Sequence, residues 1–207
     1  MSMLVYLIRH GETAWNHQGL IQGHQNPSLN QLGRQQAAMV ATYLEEQKLN
    51  FTGIYTSDLQ RAQETGTVIA QRLGLSIISR EDLRERCFGQ LEGLTLAAAK
   101  ARFPQVFAGY AQDPINTAFP AGESVAQFSQ RVESFLEFIR SGELQSPVLV
   151  VSHGGFIRIF LAIILGLPLQ YRDRLEIGNA SLSIVQVAAD KNKLLALNIT
   201  DHLAHIS

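Results

Sequence analysis

A chain of 207 residues suits one domain, or one domain with a small cap, and is long enough to bury a sizeable core. With 46% hydrophobic residues, 17% charged residues and a formal charge of -1, it is not a disordered chain, and nothing recommends nucleic acid or an anionic membrane as partner. Any attraction for an anionic substrate must therefore be local.

Leu4 to Ile8 form a continuous apolar run, which predicts a strand buried on both faces. Arg9, His10 and Gly11 follow at once, so a cation and an imidazole stand where the strand gives way to a loop. In an open parallel sheet, ligands bind outside the carboxyl ends of the strands. Residues 17–30, rich in Gln, Asn, Gly and His, have loop composition. From Asn30, an N-cap, a helix is predicted to about Lys48, with Leu32, Gln36, Met39, Val40, Tyr43 and Leu44 near one face. Phe51 to Thr56 reads as a second strand. Ser57 and Gln60 have the spacing of a capping box, which opens a helix ending near Gly74 and sets Arg61 in or near its first turn. Ser76 to Ser79 is a third, short strand.

Residues 84–123 lack a long periodic pattern. A small helix over about Thr95 to Phe103 is followed by Pro104, Pro114 and Pro120 as breakers, and the region reads as an insertion capping the sheet edge. Ser124, with Gln127 three later, opens an amphipathic helix in which Val125, Phe128, Val132, Phe135, Leu136 and Ile139 recur at helical spacing. A strand over Val148 to Val151 then runs into Ser152, His153, Gly154 and Gly155, repeating the construction at the N-terminus. The helix after it, to about Leu165, closes at Gly166 and Pro168. Residues 181–188 and 194–199 form a hairpin about Asp190, Lys191 and Asn192. The expected fold is an α/β three-layer sandwich over residues 1–207, with a mostly parallel sheet, an antiparallel edge hairpin and the cap at 84–123. The edge hairpin leaves room for a homodimer.

Met1, Ser2 and Met3 lead straight into the first strand, without the pattern of a secretory signal. The most apolar segment, Phe156 to Leu169, is too short to span a bilayer and carries Arg158. The single cysteine, Cys87, cannot form an internal disulfide. A soluble, cytoplasmic protein is expected.

The segments RHGETAWN (9–16), SDLQRAQET (57–65), Glu85 in LRERCFG, GES (122–124) and SHGG (152–155) resemble the histidine phosphatase superfamily, which includes the cofactor-dependent phosphoglycerate mutases. The resemblance runs from residue 4 to about residue 199, with five segments in family order. It implies that His10 is the nucleophile, that Glu85 is the proton donor, and that Arg9, Arg61 and His153 form a phosphate pocket with Asn16. Gln22 and Gly23 match a loop that touches substrate in relatives, and Gly154 falls in the last segment. The ending LNITDHL resembles the tail of small-molecule phosphatases of this family, which lies near substrate and makes His202 a further candidate.

These residue types suit phosphoryl transfer. A neutral imidazole attacks phosphorus and holds the phosphoryl group as a phosphohistidine. The transition state spreads charge over three equatorial oxygens, which guanidinium forks match two at a time. Arg9, Arg61 and a protonated His153 would supply that field, and Gly11 would leave room for the phosphate. Three residue readings weigh against other chemistry. No metal-ligand spacing is present, so neither metal nor cofactor is expected. A cysteine-dependent phosphatase would want an arginine six positions after Cys87, where Gly93 stands. His17 and His24 lie in a polar loop and read as solvated, while Glu81, Asp82 and Glu92 compete with Glu85 for the acid role.

The expected activity is hydrolysis of a small phosphorylated metabolite: phosphoserine, a sugar phosphate, phosphoglycerate or α-ribazole phosphate. Relatives of the phosphoserine type tend to carry a histidine shortly after the acid, where this chain has Cys87. A phosphoglycerate mutase is the alternative, but mutases carry a longer, basic cap, whereas Arg86, Lys100 and Arg102 are the only cations from Arg86 to Gly122. A non-catalytic phosphate binder would have lost at least one of His10, Arg61, Glu85 or His153.

Overall fold

The apolar run at the N-terminus becomes the strand on which the sheet is centred. In the computed structural model, which describes residues 2–204, β1 (Ser2–Arg9) leads through one helical turn, α1 (Ala14–His17), into α2 (Gln31–Glu46). β2 (Gly53–Ser57), α3 (Gln60–Leu73) and β3 (Ile77–Arg80) follow. The cap holds α4 (Leu96–Arg102) and α5 (Pro104–Gln112), and α6 (Val125–Arg140), β4 (Val148–Ser152), α7 (Gly154–Leu165), β5 (Leu182–Ala188) and β6 (Lys193–Ile199) complete the chain. The six strands lie in the order β3-β2-β4-β1-β5-β6. Those from β3 to β1 are mutually parallel, and β5 and β6 add the antiparallel edge hairpin.

Side chains of a strand alternate between faces, so each apolar run serves two cores at once. Val5, Leu7, Val148 and Val150 pack against α6 and α7. Tyr6, Ile8, Leu149 and Val151 pack against α2 and α3. That double burial makes the runs continuous rather than alternating. The buried face of α6 is the one its spacing predicts, behind a capping box of Ser124 and Gln127. Among the described residues no helix is long and apolar enough to cross a membrane.

Four readings change. The buried stripe of α2 is Gly33, Ala37, Val40, Ala41 and Leu44, and the larger Leu32, Met39 and Tyr43 flank it. Small residues are needed there because the start of α2 presses on the loop after β1. A Cβ on Gly11 would lie 2.4 Å from the Gly33 carbonyl oxygen, so Gly11 admits the backbone of α2, not a phosphate. Ser57 ends β2 instead of capping α3, whose N-cap, Leu59, makes no side-chain cap bond. Pro104 does not break the cap but opens α5 at its first position, where a missing N–H costs nothing. The cap has its own small core, in which Leu91, Ala99 and Phe119 meet Phe88, Phe103, Phe107 and Tyr110.

Candidate active site

Because β1 and β4 are adjacent and parallel, with Arg9 opposite Ser152, the residues that follow each strand arrive side by side. The His10 N–H donates to the Ser152 carbonyl at 2.9 Å, and the His10 and His153 rings stand 5.1 Å apart. The short link from β2 to α3 delivers Arg61 to the same strand ends. Arg9, His10, Asn16, Gln22, Gly23, Arg61 and Glu85 thus line one hollow of about 180 Å³.

His10 is buried, and its Nδ1 lies 2.7 Å from the Gly11 carbonyl oxygen. A carbonyl only accepts, so Nδ1 carries the proton and Nε2 keeps its lone pair. Burial, then Arg61 and Arg9, hold the His10 pKa well below 6.5. The ring is therefore neutral at neutral pH.

The two arginines, Arg61 buried and Arg9 half-buried, are cations in search of an anion. Arg61 donates to the carbonyls of Gln25 and Gly23, each at 2.8 Å, and Arg9 to that of Ile177 at 2.8 Å. The Nε of each is buried without a partner, and neither arginine makes an ion pair among the described residues. Burial pulls both pKa values down to about 10, opposed by Glu85, so both stay charged at neutral pH. Unpaired buried charge is costly, and a bound oxyanion would offset that cost.

His153 departs from expectation. It is wholly buried against His10 and outside the hollow's lining, with Nε2 2.8 Å from Ser57 Oγ and Nδ1 unpartnered. Burial, Arg61, His10 and Arg9 push its pKa well below 6.5, so it is neutral, not the cation expected. Asn16 uses its Oδ1 to accept from Thr13 and Asn179, which leaves its amide NH₂ for the hollow. Gln22 brings a buried, unpartnered Oε1.

Glu85 is fixed from both ends. Its Oε2 accepts from the Gly155 N–H at 2.9 Å, in the first turn of α7, and its Oε1 from the Arg86 N–H at 2.8 Å. Its carbonyl accepts from Arg131 at 3.0 Å and from His24 Nε2 at 2.8 Å. A Cβ on Gly155 would lie 2.1 Å from Glu85 Oε1, so only glycine admits the carboxylate there. Gly155, Ser57, Arg131 and His24 were not legible as site residues, although the glycine pair after His153 was a signal. His24 is an anchor, not the solvated side chain expected. Of the competing acids, Asp82 is held by Arg80, Glu92 accepts from the His24 and Phe88 N–H groups, and Glu81 is exposed.

Two further candidates fall outside the hollow. His202 donates from Nε2 to the Ala180 carbonyl at 2.9 Å and packs on Tyr43, 5.2 Å between ring centres, facing a different hollow. Gly154 sits against the Arg9 side chain rather than in the lining, its Cβ position 3.4 Å from Arg9 Nε. Cys87 has its thiol pKa raised by burial, which makes it a poor nucleophile.

The neutral imidazoles carry a pH signature. Below the unfolded value of 6.5, the unfolded chain takes up protons that His10 and His153 refuse in the folded state. Stability is therefore expected to fall as pH drops through that window, by about 1.4 kcal/mol per pH unit for each imidazole, with no contribution above it. Denaturant melts from about pH 8 to about pH 5 check this, and the slope should flatten in His153→Asn. An unchanged slope in that variant would assign the titration to another group.

Among known proteins, the model of the histidine phosphatase superfamily (branch 1) matches residues 5–200. Phosphoserine phosphatase 1 of Hydrogenobacter thermophilus is 33% identical over 197 residues, covering 95% of this chain and 92% of that protein. Phosphoglycerate mutase-like protein 4 of Arabidopsis thaliana is 38% identical over 157 residues, covering 74% and 67%. The crystal structure of the α-ribazole phosphatase from Shigella flexneri superposes with a TM-score of 0.88 at 27% identity, covering 95% of this chain and 96% of that one.

Proposed function

This chain belongs to the histidine phosphatase superfamily, and from that premise we propose that it is a metal-independent phosphatase acting on a small phosphomonoester through a phosphohistidine on His10. The observation that carries the reading is an unprotonated imidazole nitrogen in a hollow walled by two guanidinium groups that have no ion-pair partner among the described residues and whose Nε atoms are buried without a partner. Nε2 attacks phosphorus as the ester P–O bond breaks, and the departing alkoxide takes a proton from Glu85. Water then gives a proton to the Glu85 carboxylate and attacks phosphorus, the P–N bond breaks, and inorganic phosphate leaves with His10 neutral again. Arg9 and Arg61 neutralise the transferring oxygens, and the Asn16 amide adds a donor. His153, neutral and outside the lining, stands with its ring 5.1 Å from that of His10.

Substrates in keeping with the relatives are phosphoserine and α-ribazole phosphate, and phosphoglycerate and sugar phosphates belong to the same chemical class. The mutase reading draws on the name of the Arabidopsis relative, and the presence of only three cations from Arg86 to Gly122 argues against it. The test is phosphate release from a panel of these esters in excess chelator, beside a coupled assay for 3-phosphoglycerate to 2-phosphoglycerate conversion. Hydrolysis of at least one ester with chelator present, and no bisphosphate-dependent isomerisation, is expected. Loss of activity with chelator, restored by Mg²⁺, would overturn metal independence, and isomerisation faster than phosphate release would favour the mutase.

A further inference from the structure

A second cavity, of about 280 Å³, lies against the phosphate hollow, sharing Glu85 and Phe88 in its wall. Its other walls come from the cap, from α6 and α7, and from the segment that follows α7. Arg86, Tyr110 and Phe119 line it together with Arg158 and Arg172. The lining mixes aromatic rings with three arginines.

Arg86 is the residue that fold and mechanism leave unexplained. It is only 5% exposed, and the hydrogen bond of its guanidinium group runs from Nε to the Glu123 carbonyl at 2.9 Å. Its Nη2 is buried without a partner, and it forms no ion pair among the described residues. Glu123, beside it, is committed to Arg131 and to the Cys87 N–H. Of the cavity's two carboxylates, Glu85 already has its two backbone donors, and the Asp173 side chain is 71% exposed beside Arg172. Tyr110 accepts from Arg172 at 2.8 Å, and the Arg86 guanidinium stands 4.9 Å from the Phe119 ring centre and 5.3 Å from that of Phe88. Rings hold the guanidinium in place by cation–π contact but do not neutralise it.

We propose that this cavity receives the leaving group, and that Arg86 selects phosphomonoesters whose organic part is an apolar or aromatic body carrying a carboxylate. The proposal rests on the phosphatase reading for its direction. With phosphorus at His10 and the ester oxygen at Glu85, the rest of the ester extends past Glu85, and Arg86 is the next residue in the chain. The aromatic walls suit a flat or apolar body, and a guanidinium end with free N–H groups matches a carboxylate fork. Sugar phosphates, which are neutral beyond the phosphate, would leave Arg86 unpaired.

Equilibrium binding to the His10→Ala protein, which cannot form the phosphoenzyme, tests this by calorimetry. The probes are phenyl phosphate, carbamoylphenyl phosphate and carboxyphenyl phosphate, the last two as meta and para isomers. The better carboxyphenyl isomer is expected to bind about tenfold to a hundredfold more tightly than its neutral carbamoyl counterpart, the range of a charge-assisted hydrogen bond. Adding Arg86→Met should bring that ratio near unity, and Arg86→Lys, which keeps charge but loses the fork, should leave it in between. The ratio in the parent protein stands even if the Met variant fails to fold. Equal affinities, or no binding of any probe, would overturn the proposal, as would a ratio that survives Arg86→Met. Failure of the phosphatase reading would appear separately, as no turnover of these esters by the unaltered protein while the binding ratio persists.

Discussion

Replacing His10 with Ala is expected to lower turnover by about 10⁶-fold, the scale seen when a covalent nucleophile is removed from its catalytic unit. The loss follows from the tautomer that the Gly11 carbonyl imposes. With Nδ1–H committed at 2.7 Å, Nε2 is the one ring nitrogen able to attack, and the other imidazole, His153, is buried outside the lining. A water molecule cannot take over at comparable rate, because the one other base in the lining, Glu85, is engaged on the leaving-group side. Rapid alkaline quench of the unaltered protein with a fast substrate should trap phosphoryl label on the chain, and peptide mapping should find it at His10. The Ala variant should carry none, while its thermal unfolding remains a single cooperative transition. Retention of more than about one per cent of turnover by this variant would exclude the covalent route, since no effect of this size is left to explain.

The fold was legible because its signals are local. Continuous apolar runs, capping residues at Asn30 and Ser124, and the stop at Gly166 each act within a few residues, and each appears in the structure where the pattern placed it. Arg9, His10, Arg61 and Glu85 were legible as a set through the family likeness, and adjacency of β1 and β4 brings the first two beside His153. Their supports were not, because the supporting bonds join residues far apart in the chain. Gly155 meets Glu85 across 70 residues, and Ser57 meets His153 across 96. Charge state was equally hidden. His153 was expected as a cation because a phosphate pocket wants positive field, but total burial beside two arginines outweighs that preference in the unliganded protein. His202 shows the opposite error: its neighbourhood in the family is a tail near substrate, and here the Ala180 carbonyl and Tyr43 hold it on the outer side of α2.

Glu85→Gln should separate the two halves of the reaction. The amide fills the same space but cannot give up a proton to a leaving group, and it can satisfy only one of the two backbone N–H groups that Glu85 now holds. For an alkyl phosphate, whose departing alkoxide is strongly basic, kcat/KM is expected to fall by about 10²- to 10⁴-fold, the usual contribution of a positioned acid. For p-nitrophenyl phosphate the leaving oxygen needs little help, so kcat/KM should fall by less than about tenfold. The second half-reaction is then exposed. Water must still lose a proton as it attacks the phosphohistidine, and without the Glu85 carboxylate that step slows for every substrate. The variant should therefore release one nitrophenolate per active site in a burst and then turn over slowly, with phosphohistidine accumulating on His10. Equal losses for alkyl and aryl esters, with no burst, would reduce Glu85 to a positioning residue held by Gly155 and Arg86, and the proton would have to come from elsewhere in the hollow.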